Sequence, residues 1–390
     1  MLYANYKKGY LYIMKKIIVA YASYGGGHKT VATYVADYIK NHSDDYEIML
    51  IDLLDNSGRT TTFTVNGLNY IMHHKLDKLF SFLYKSLDHN FTTNQYKKFF
   101  KKFVYNEKMA KVFVDFQPDV VISSHFYGSN MAAYLNKQKR IKAKLITIVT
   151  DYEVHKIWTS SDDKNENFIV ANKIVKDRMI ERGCCSNNIY PYGIPFDEKK
   201  ISELPNKEVI YKKFKLDPSK PVLSFFGGGS IGSVTYLKYL KALLKVNNGY
   251  QIVFFAGKCE ELKTKADEFV KKYPELHVLG FTKDAYELMD ISTAVIGKPG
   301  GATVTECLEL QKYMILIPGV GGQETYNAKF VSKNRYGIYL SGLFKFKRFI
   351  KKFMNNPKSY LDKYNNKKLK NESLKNIKEL VDKLVKENKK

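Results

Sequence analysis

The residues from Gly297 to Glu306 read Gly-Lys-Pro-Gly-Gly-Ala-Thr-Val-Thr-Glu and have the makings of an anion site. The short apolar run Thr293–Ile296 reads as a buried strand. It leads into Lys298-Pro299-Gly300-Gly301 and then into a helical pattern reaching Leu310. Two successive glycines leave backbone N–H groups uncovered where that helix begins. Those donors and the positive end of the helix dipole suit a diphosphate. Glu306, at most two turns in, can accept from a ribose hydroxyl. The alternative is that Pro-Gly-Gly only turns the chain, and these residues alone leave both readings open.

A second glycine loop, Ser23-Tyr24-Gly25-Gly26-Gly27-His28-Lys29-Thr30, stands near the start of the chain. It is not a Walker loop, because His28 takes the place of the glycine required before the lysine. It is not the dinucleotide fingerprint either, because Thr30 holds the third glycine position; Asp52 is the one part of that pattern present. What remains is an imidazole at the amino end of a helix. The dipole there disfavours imidazolium, so the ring should stay neutral and able to take a proton. A neutral base of this kind suits sugar transfer, in which an acceptor hydroxyl must be deprotonated. A histidine that merely caps its helix is the alternative. No Asp-x-Asp occurs, and Asp44-Asp45 and Asp162-Asp163 sit in polar, loop-like surroundings. No metal or other cofactor is therefore expected, and a leaving diphosphate would rely on Lys298, Gly300 and Gly301. His73 and His74 read as surface residues.

The elements that must position these groups alternate strand with helix, the mark of parallel α/β sheets. Strands are predicted at 16–22, 46–53, 119–124, 144–150, 167–171 and 189–192. A hinge follows over Gly193-Ile194-Pro195 and the polar stretch 197–220. The second half begins again with a strand, 222–226, and the glycine loop 227–232. Further strands are expected at 251–256, 276–280, 293–297 and 313–318. Both halves thus open on a strand running into a glycine-rich helix start, which predicts two Rossmann-like domains facing across a cleft. The divisions are 1–196 for an acceptor and membrane-binding domain, 197–345 for a nucleotide-binding domain, and 346–390 for a basic helical tail.

The chain is long enough for two full cores, and its formal charge of +25 calls for an anionic partner, nucleic acid or an acidic leaflet. No helix-turn-helix, RRM or zinc-finger pattern supports nucleic acid. Between the second and third strands lies an aromatic, basic insertion, 56–111. Within it Tyr96, Phe99, Phe100, Phe103 and Val104 follow helical spacing, while Lys97, Lys98, Lys101 and Lys102 fill the other face. This predicts a helix lying on a membrane, or else one packed on its own domain. The segment Lys345–Lys390 carries 16 Lys/Arg against 5 Asp/Glu, and its opening Phe-Lys interleaving also suits a charged bilayer. No stretch is apolar enough to span a membrane, the first 13 residues lack a secretory pattern, and the spacing of the four cysteines suits a reduced cytoplasm. The expectation is a peripheral protein on the cytoplasmic face of the membrane.

Taken together these motifs resemble the monogalactosyldiacylglycerol synthases and, more closely, the bacterial processive diacylglycerol glucosyltransferases of glycosyltransferase family 28. The resemblance runs from Lys15 to about Leu340 and is densest in four places. These are Gly25–His28, Thr150–Trp158 (Thr-Asp-x-x-x-His-x-x-Trp), Gly228–Gly232, and Lys298–Glu306 with Gly322-Gln323-Glu324 and Asn327. It implies a GT-B fold, an inverting transfer of hexose from UDP-hexose to diacylglycerol, with processive addition to the product as an option, and no metal. It implies His28 as the base, with His125, Asp151, His155 and Trp158 on the acceptor side. On the donor side it implies Phe281 and Thr282 at the uracil and Glu306 at the ribose. Gly229, Ser230, Gly301, Ala302 and Thr303 would meet the diphosphate, and Gln323 and Glu324 the hexose. Glucose is favoured over galactose by the Thr150–Trp158 segment. One departure is that Pro318-Gly-Val-Gly-Gly-Gln323 lacks the second proline of the family's Pro-x-Pro-Gly-Gln-Glu. Two other readings keep the fold: a UDP-sugar epimerase acting without lipid, and a non-catalytic UDP-sugar sensor.

Overall fold

A computed structural model describes residues 4–7, 10–23, 26–54, 105–161, 163–227, 233–319, 323–364 and 371–387. The chain forms two compact units. Of the described residues, the first comprises those up to Phe196 together with the last helix; the second runs from Asp197 to the helix Leu343–Asn355 and the short turn after it.

In the first unit a hairpin of β1 (Ala4–Lys7) and β2 (Tyr10–Ile13) precedes a six-stranded parallel sheet. Its strands are β3 (Lys15–Tyr21), β4 (Tyr46–Asp52), β5 (Val120–Ser123), β6 (Lys144–Ile148), β7 (Asn167–Ile169) and β8 (Ile189–Tyr190), in the order β4-β3-β5-β6-β7-β8. Ile17, Ile18, Val19 and Ala20 of β3 are all fully buried, as a strand covered on both faces requires. Register pairs Ile17 with Val120 and Ala20 with Ser123, so the loops after β3 and β5 leave the sheet side by side. The sheet order reverses between these two strands. Ligands of open α/β sheets bind at such reversals, beyond the carboxyl ends of the strands.

The second unit repeats the plan with β9 (Val222–Phe226), β10 (Gln251–Gly257), β11 (Leu276–Gly280), β12 (Ser292–Gly297), β13 (Tyr313–Leu316) and β14 (Gly337–Tyr339). The order β11-β10-β9-β12-β13-β14 is that of a Rossmann sheet, and its reversal lies between β9 and β12. One sheet face packs on a core shared by the helices Ser233–Leu244, Glu260–Val270 and Leu343–Asn355. The other packs on Lys207–Lys213 and Ala285–Ile291.

The residues read as one basic tail are divided between the units. Helix Leu343–Asn355 buries Phe346, Phe349, Ile350, Phe353 and Met354 in the core of the second. Spacing of i, i+3, i+4, i+7, i+8 gathers these five on one stripe, so Phe346, Phe349 and Phe353 face inward, and of the aromatics interleaved with lysines only Phe344 stays in solvent. Helix Ser373–Glu387 belongs to the first unit. It buries Leu374, Ile377, Leu380, Val381, Leu384 and Val385, packs on the helix Gly26–His42, and has Asp382 accepting from the Tyr46 hydroxyl at 2.6 Å. Its approach is fixed at Gly193, whose φ of +95° suits only glycine and whose added Cβ would strike the Asn371 side chain at 2.5 Å. Asn371 Nδ2 in turn donates to Ile194 O at 3.1 Å.

The expected helix of Lys97, Lys98, Phe99, Phe100, Lys101, Lys102 and Phe103 lies outside the described residues, as do Gly229 and Ser230. Among the described residues no helix is long and apolar enough to cross a membrane.

Candidate active site

In the first unit, His28 is the third residue of the helix Gly26–His42. Its ring meets the neighbouring strand end. Nδ1 lies 2.7 Å from Ser124 O and 3.2 Å from Thr150 Oγ1. A carbonyl can only accept, so Nδ1 carries the proton and the lone pair is on Nε2. Ser124 holds the histidine from the other side too, its hydroxyl donating to His28 O at 2.9 Å.

Two other histidines bind their protons the opposite way. His125 begins the helix Phe126–Lys137, its Nδ1 accepting from Tyr127 N at 3.3 Å. His155 begins the turn Lys156–Thr159, its Nδ1 accepting from Ile157 N at 3.1 Å. Both are buried, and both act as the capping residues that Ser or Asp more often supplies. Burial, and then the neighbouring His28, hold His125 well below the ordinary imidazole range, so it is neutral.

The His28 and His125 rings meet edge to face with centroids 4.9 Å apart, and Trp158 stands 6.3 Å from each. Trp158 is buried, and its Nε1 has no hydrogen-bond partner among the described residues. Asp151 is also buried, directly after Thr150. The structure therefore gathers His28, His125 and Trp158 around the end of β5, with His155 opening the turn that carries Trp158. Reading the sequence assigned no role to Ser124 O or to the Thr150 hydroxyl as orienting groups; a carbonyl's role leaves no trace in residue type.

In the second unit, β12 ends at Gly297 and the helix Gly301–Glu309 follows Lys298-Pro299-Gly300. Gly300 is the first cap residue and contributes no side chain. The first helical N–H to find a carbonyl is that of Val304, bonded to Gly300 O at 2.9 Å. The amides of Gly301, Ala302 and Thr303 are thus the helix's orphan donors. Lys298 Nζ reaches within 3.8 Å of where a Gly300 Cβ would be, and it pairs with Glu324 of the helix Gln323–Lys333. Gly319 makes room for that pair, since a Cβ there would overlap Glu324 Oε2. Asn327, fully buried, pins the loop by donating to Pro299 O at 3.0 Å.

Glu306 accepts from the Tyr286 hydroxyl at 3.2 Å, and burial pushes its carboxyl up to about 7. Tyr286 is a partner that the sequence does not signal, being twenty residues away. Phe281 and Thr282 occupy the turn after β11. Phe281 is 64% exposed with Lys258 Nζ over its ring at 4.9 Å, and Thr282 Oγ1 accepts from Asp284 N at 3.0 Å. Gln323 opens the helix that carries Glu324. Among the described residues no three His, Cys, Asp or Glu side chains group as a metal site.

Comparison with known proteins agrees with this layout. Residues 28–196 match the monogalactosyldiacylglycerol (MGDG) synthase family, and residues 222–386 match the glycosyltransferase family 28 C-terminal domain. The chain belongs to glycosyltransferase family 28. Its relatives include the processive diacylglycerol beta-glucosyltransferase of Bacillus pumilus, 29% identical over 81% of this chain and 80% of that one. The Bacillus subtilis protein of the same name is 27% identical over 81% of each. Among solved structures, Acinetobacter baumannii MurG is similar at a TM-score of 0.58 and 13% identity, covering 95% of this chain and 99% of that one. Staphylococcus aureus MnaA with UDP is similar at 0.64 and 10%, covering 96% and 97%. These likenesses show the family 28 fold to be GT-B, built of two Rossmann-like domains.

Proposed function

We propose that this family 28 protein transfers glucose from UDP-glucose to the sn-3 hydroxyl of 1,2-diacylglycerol, inverting the anomeric carbon, and that it can add a further glucose to the product. The observation that carries the reading is the Nδ1 proton of His28, held by Ser124 O, which makes Nε2 the basic nitrogen. The names of the Bacillus relatives supply the lipid acceptor, the glucose and the processivity.

His28 Nε2 takes the proton of the acceptor hydroxyl as that oxygen attacks the anomeric carbon. The bond from that carbon to the diphosphate breaks, and UDP leaves with both electrons. Charge growing on the leaving diphosphate is met by the amides of Gly301, Ala302 and Thr303 and by Lys298, which exchanges Glu324 for phosphate. Glu324, so released, and Gln323 then have hydrogen-bonding capacity for the hexose. Glu306 accepts from the ribose, and the turn at Phe281-Thr282 borders the uracil. His125, neutral and buried, with Asp151, His155 and Trp158, lines the acceptor side. By sequence, Gly229 and Ser230 are assigned to the diphosphate and the basic, aromatic segment 97–103 to the cytoplasmic face of the membrane.

A likeness to a putative UDP-N-acetylglucosamine 2-epimerase of Listeria monocytogenes, at 8% identity and a TM-score of 0.62, carries the fold alone. The deciding experiment supplies labelled UDP-glucose and UDP-galactose with diacylglycerol and separates the lipids. Label in glucosyl diacylglycerol is the expected result. Conversion of the UDP-sugar with no lipid present would replace the transferase reading with the epimerase.

A further inference from the structure

The helices Ser233–Leu244 and Leu343–Asn355 lie side by side on one face of the second sheet. Just before the second helix, Gly342 N donates at 3.1 Å to the hydroxyl of Tyr239, midway along the first, and the Tyr239 and Phe346 rings meet at 5.0 Å. Just past the end of the first, Asn248 Nδ2 reaches Asn355 Oδ1 at 3.0 Å. The two helices therefore run in the same direction. Both follow parallel strands, β9 and β14, so both begin at the carboxyl edge of the sheet, the edge that also carries Lys298–Gly301.

Their outer faces have an unusual composition. Lys238, Lys241 and Lys245 are exposed along or just beyond the first helix; Lys345, Lys347, Arg348, Lys351 and Lys352 are exposed on the second. Neither helix contains an aspartate or glutamate, and none of these eight cations makes an ion pair among the described residues. The next helix on the same sheet face, Glu260–Val270, shows the ordinary pattern. There Lys263 pairs with Asp267 and Lys265 with Glu261. The starts of the two basic helices also carry apolar side chains in solvent: Val234 at 57% exposure, Leu343 at 38% and Phe344 at 79%.

We propose that this double-helix face is a docking surface for an anionic lipid bilayer, with Phe344 and Leu343 entering the interface and the eight cations meeting headgroups. Unpaired cations ranged behind a leading edge of exposed Phe, Leu and Val match a surface that is charged outside and apolar within. A nucleic-acid backbone would use the cations and leave the apolar edge without a role. The apolar residues share the sheet edge of Gly301, so docking brings the donor loops to the bilayer that holds diacylglycerol. That last link rests on the proposed function; the surface itself does not.

The experiment measures sedimentation of the full chain with vesicles of equal parts phosphatidylcholine and phosphatidylglycerol. One variant replaces Lys345, Lys347, Arg348, Lys351 and Lys352 with Gln; another is Leu343→Ser with Phe344→Ser. A control replaces five exposed lysines of the first unit, Lys108, Lys137, Lys139, Lys142 and Lys173, with Gln. Since a cation near such a surface strengthens binding about fivefold, the first variant should bind at least roughly a hundredfold more weakly than wild type, well beyond the control. The serine variant should lose binding that persists at high salt. Loss no greater than in the control overturns the proposal. So does unchanged vesicle binding with lost affinity for a random DNA duplex, which would assign the face to nucleic acid. All substituted positions are solvent-facing, and an unaltered melting temperature checks the fold. Glucosyl transfer to diacylglycerol dispersed in neutral detergent should stay at the wild-type rate in both variants. If the wild type itself fails that assay, the transferase reading falls while the vesicle result stands.

Discussion

Two helices, Gly26–His42 and Gly301–Glu309, start the same way, after a buried parallel strand and a glycine loop at the reversal of a sheet. Their surroundings then diverge. Beside the first, the protein packs aromatic and imidazole rings whose protons are fixed by carbonyls and amides. Beside the second it leaves amides uncovered and brings up one lysine held by a glutamate. In the proposed function one end moves a proton and the other holds charge. The lesson is that a glycine-opened helix specifies where a ligand sits, while the residues on the adjacent loops specify what happens there.

The sharpest way to break this division is His28→Ala. Transfer should fall about 10²–10⁴-fold, as for loss of a general base, with UDP affinity unchanged by calorimetry. Turnover within threefold of wild type would remove His28 from the chemistry.

A second contrast concerns two carboxyls that burial raises to about 7, Glu166 in the first unit and Glu306 in the second. Glu166 precedes β7 and accepts from Thr147 of β6 and Ser161 of the loop after Trp158, while Thr147 also meets Ser129 of the helix Phe126–Lys137. It ties together the elements that carry His125, Thr150 and Trp158. Folded Glu166 keeps its proton up to about 7, whereas the ordinary glutamate value of 4.5 describes the unfolded chain. The stability it contributes is therefore full below about 4.5 and lost as pH rises through 7, a difference of about 3 kcal/mol. Urea unfolding followed by Trp158, the single tryptophan, should show the first unit weaker at pH 8 than at pH 5. Glu166→Gln should flatten that slope; an equal slope in the variant would contradict the assignment.

Glu306 should behave as a ligand group instead. Glu306→Ala should weaken UDP about tenfold, the usual worth of a hydrogen bond to a charged group, and leave the proton-transfer step intact in saturated enzyme. The smallest effect is expected for Tyr286→Phe, which removes the hydroxyl facing Glu306 Oε1 and should weaken UDP by under 1 kcal/mol. A larger loss from Tyr286 than from Glu306 would reverse their roles.

The sequence exposes the strands because each is a short, continuous apolar run, and it exposes both glycine loops because nothing else leaves a helix start bare. His28 stands out for the same reason. The proton arrangement at the site is not legible, since it depends on Ser124 O and on two histidines acting as caps, and caps are ordinarily read from Ser, Thr, Asp or Asn. Glu166 is hidden too: a lone acid between polar residues looks like a loop until the hydroxyls of Thr147 and Ser161 close on it. The tail misleads because one stripe of Phe and Ile at helical spacing serves a core or a bilayer equally well. Only packing against Tyr239 and Tyr313 shows which side of Leu343–Asn355 is inward.

The return of Ser373–Glu387 to the first unit has a consequence for synthesis. The unit whose strands leave the ribosome first is the last to be completed, because Val381 and Leu384 must emerge before the back of the helix Gly26–His42 is covered. The second unit can close meanwhile from an uninterrupted stretch of chain. A ribosome that stalls before the last helix would release a closed second unit attached to a first unit whose helix Gly26–His42 still lacks its cover.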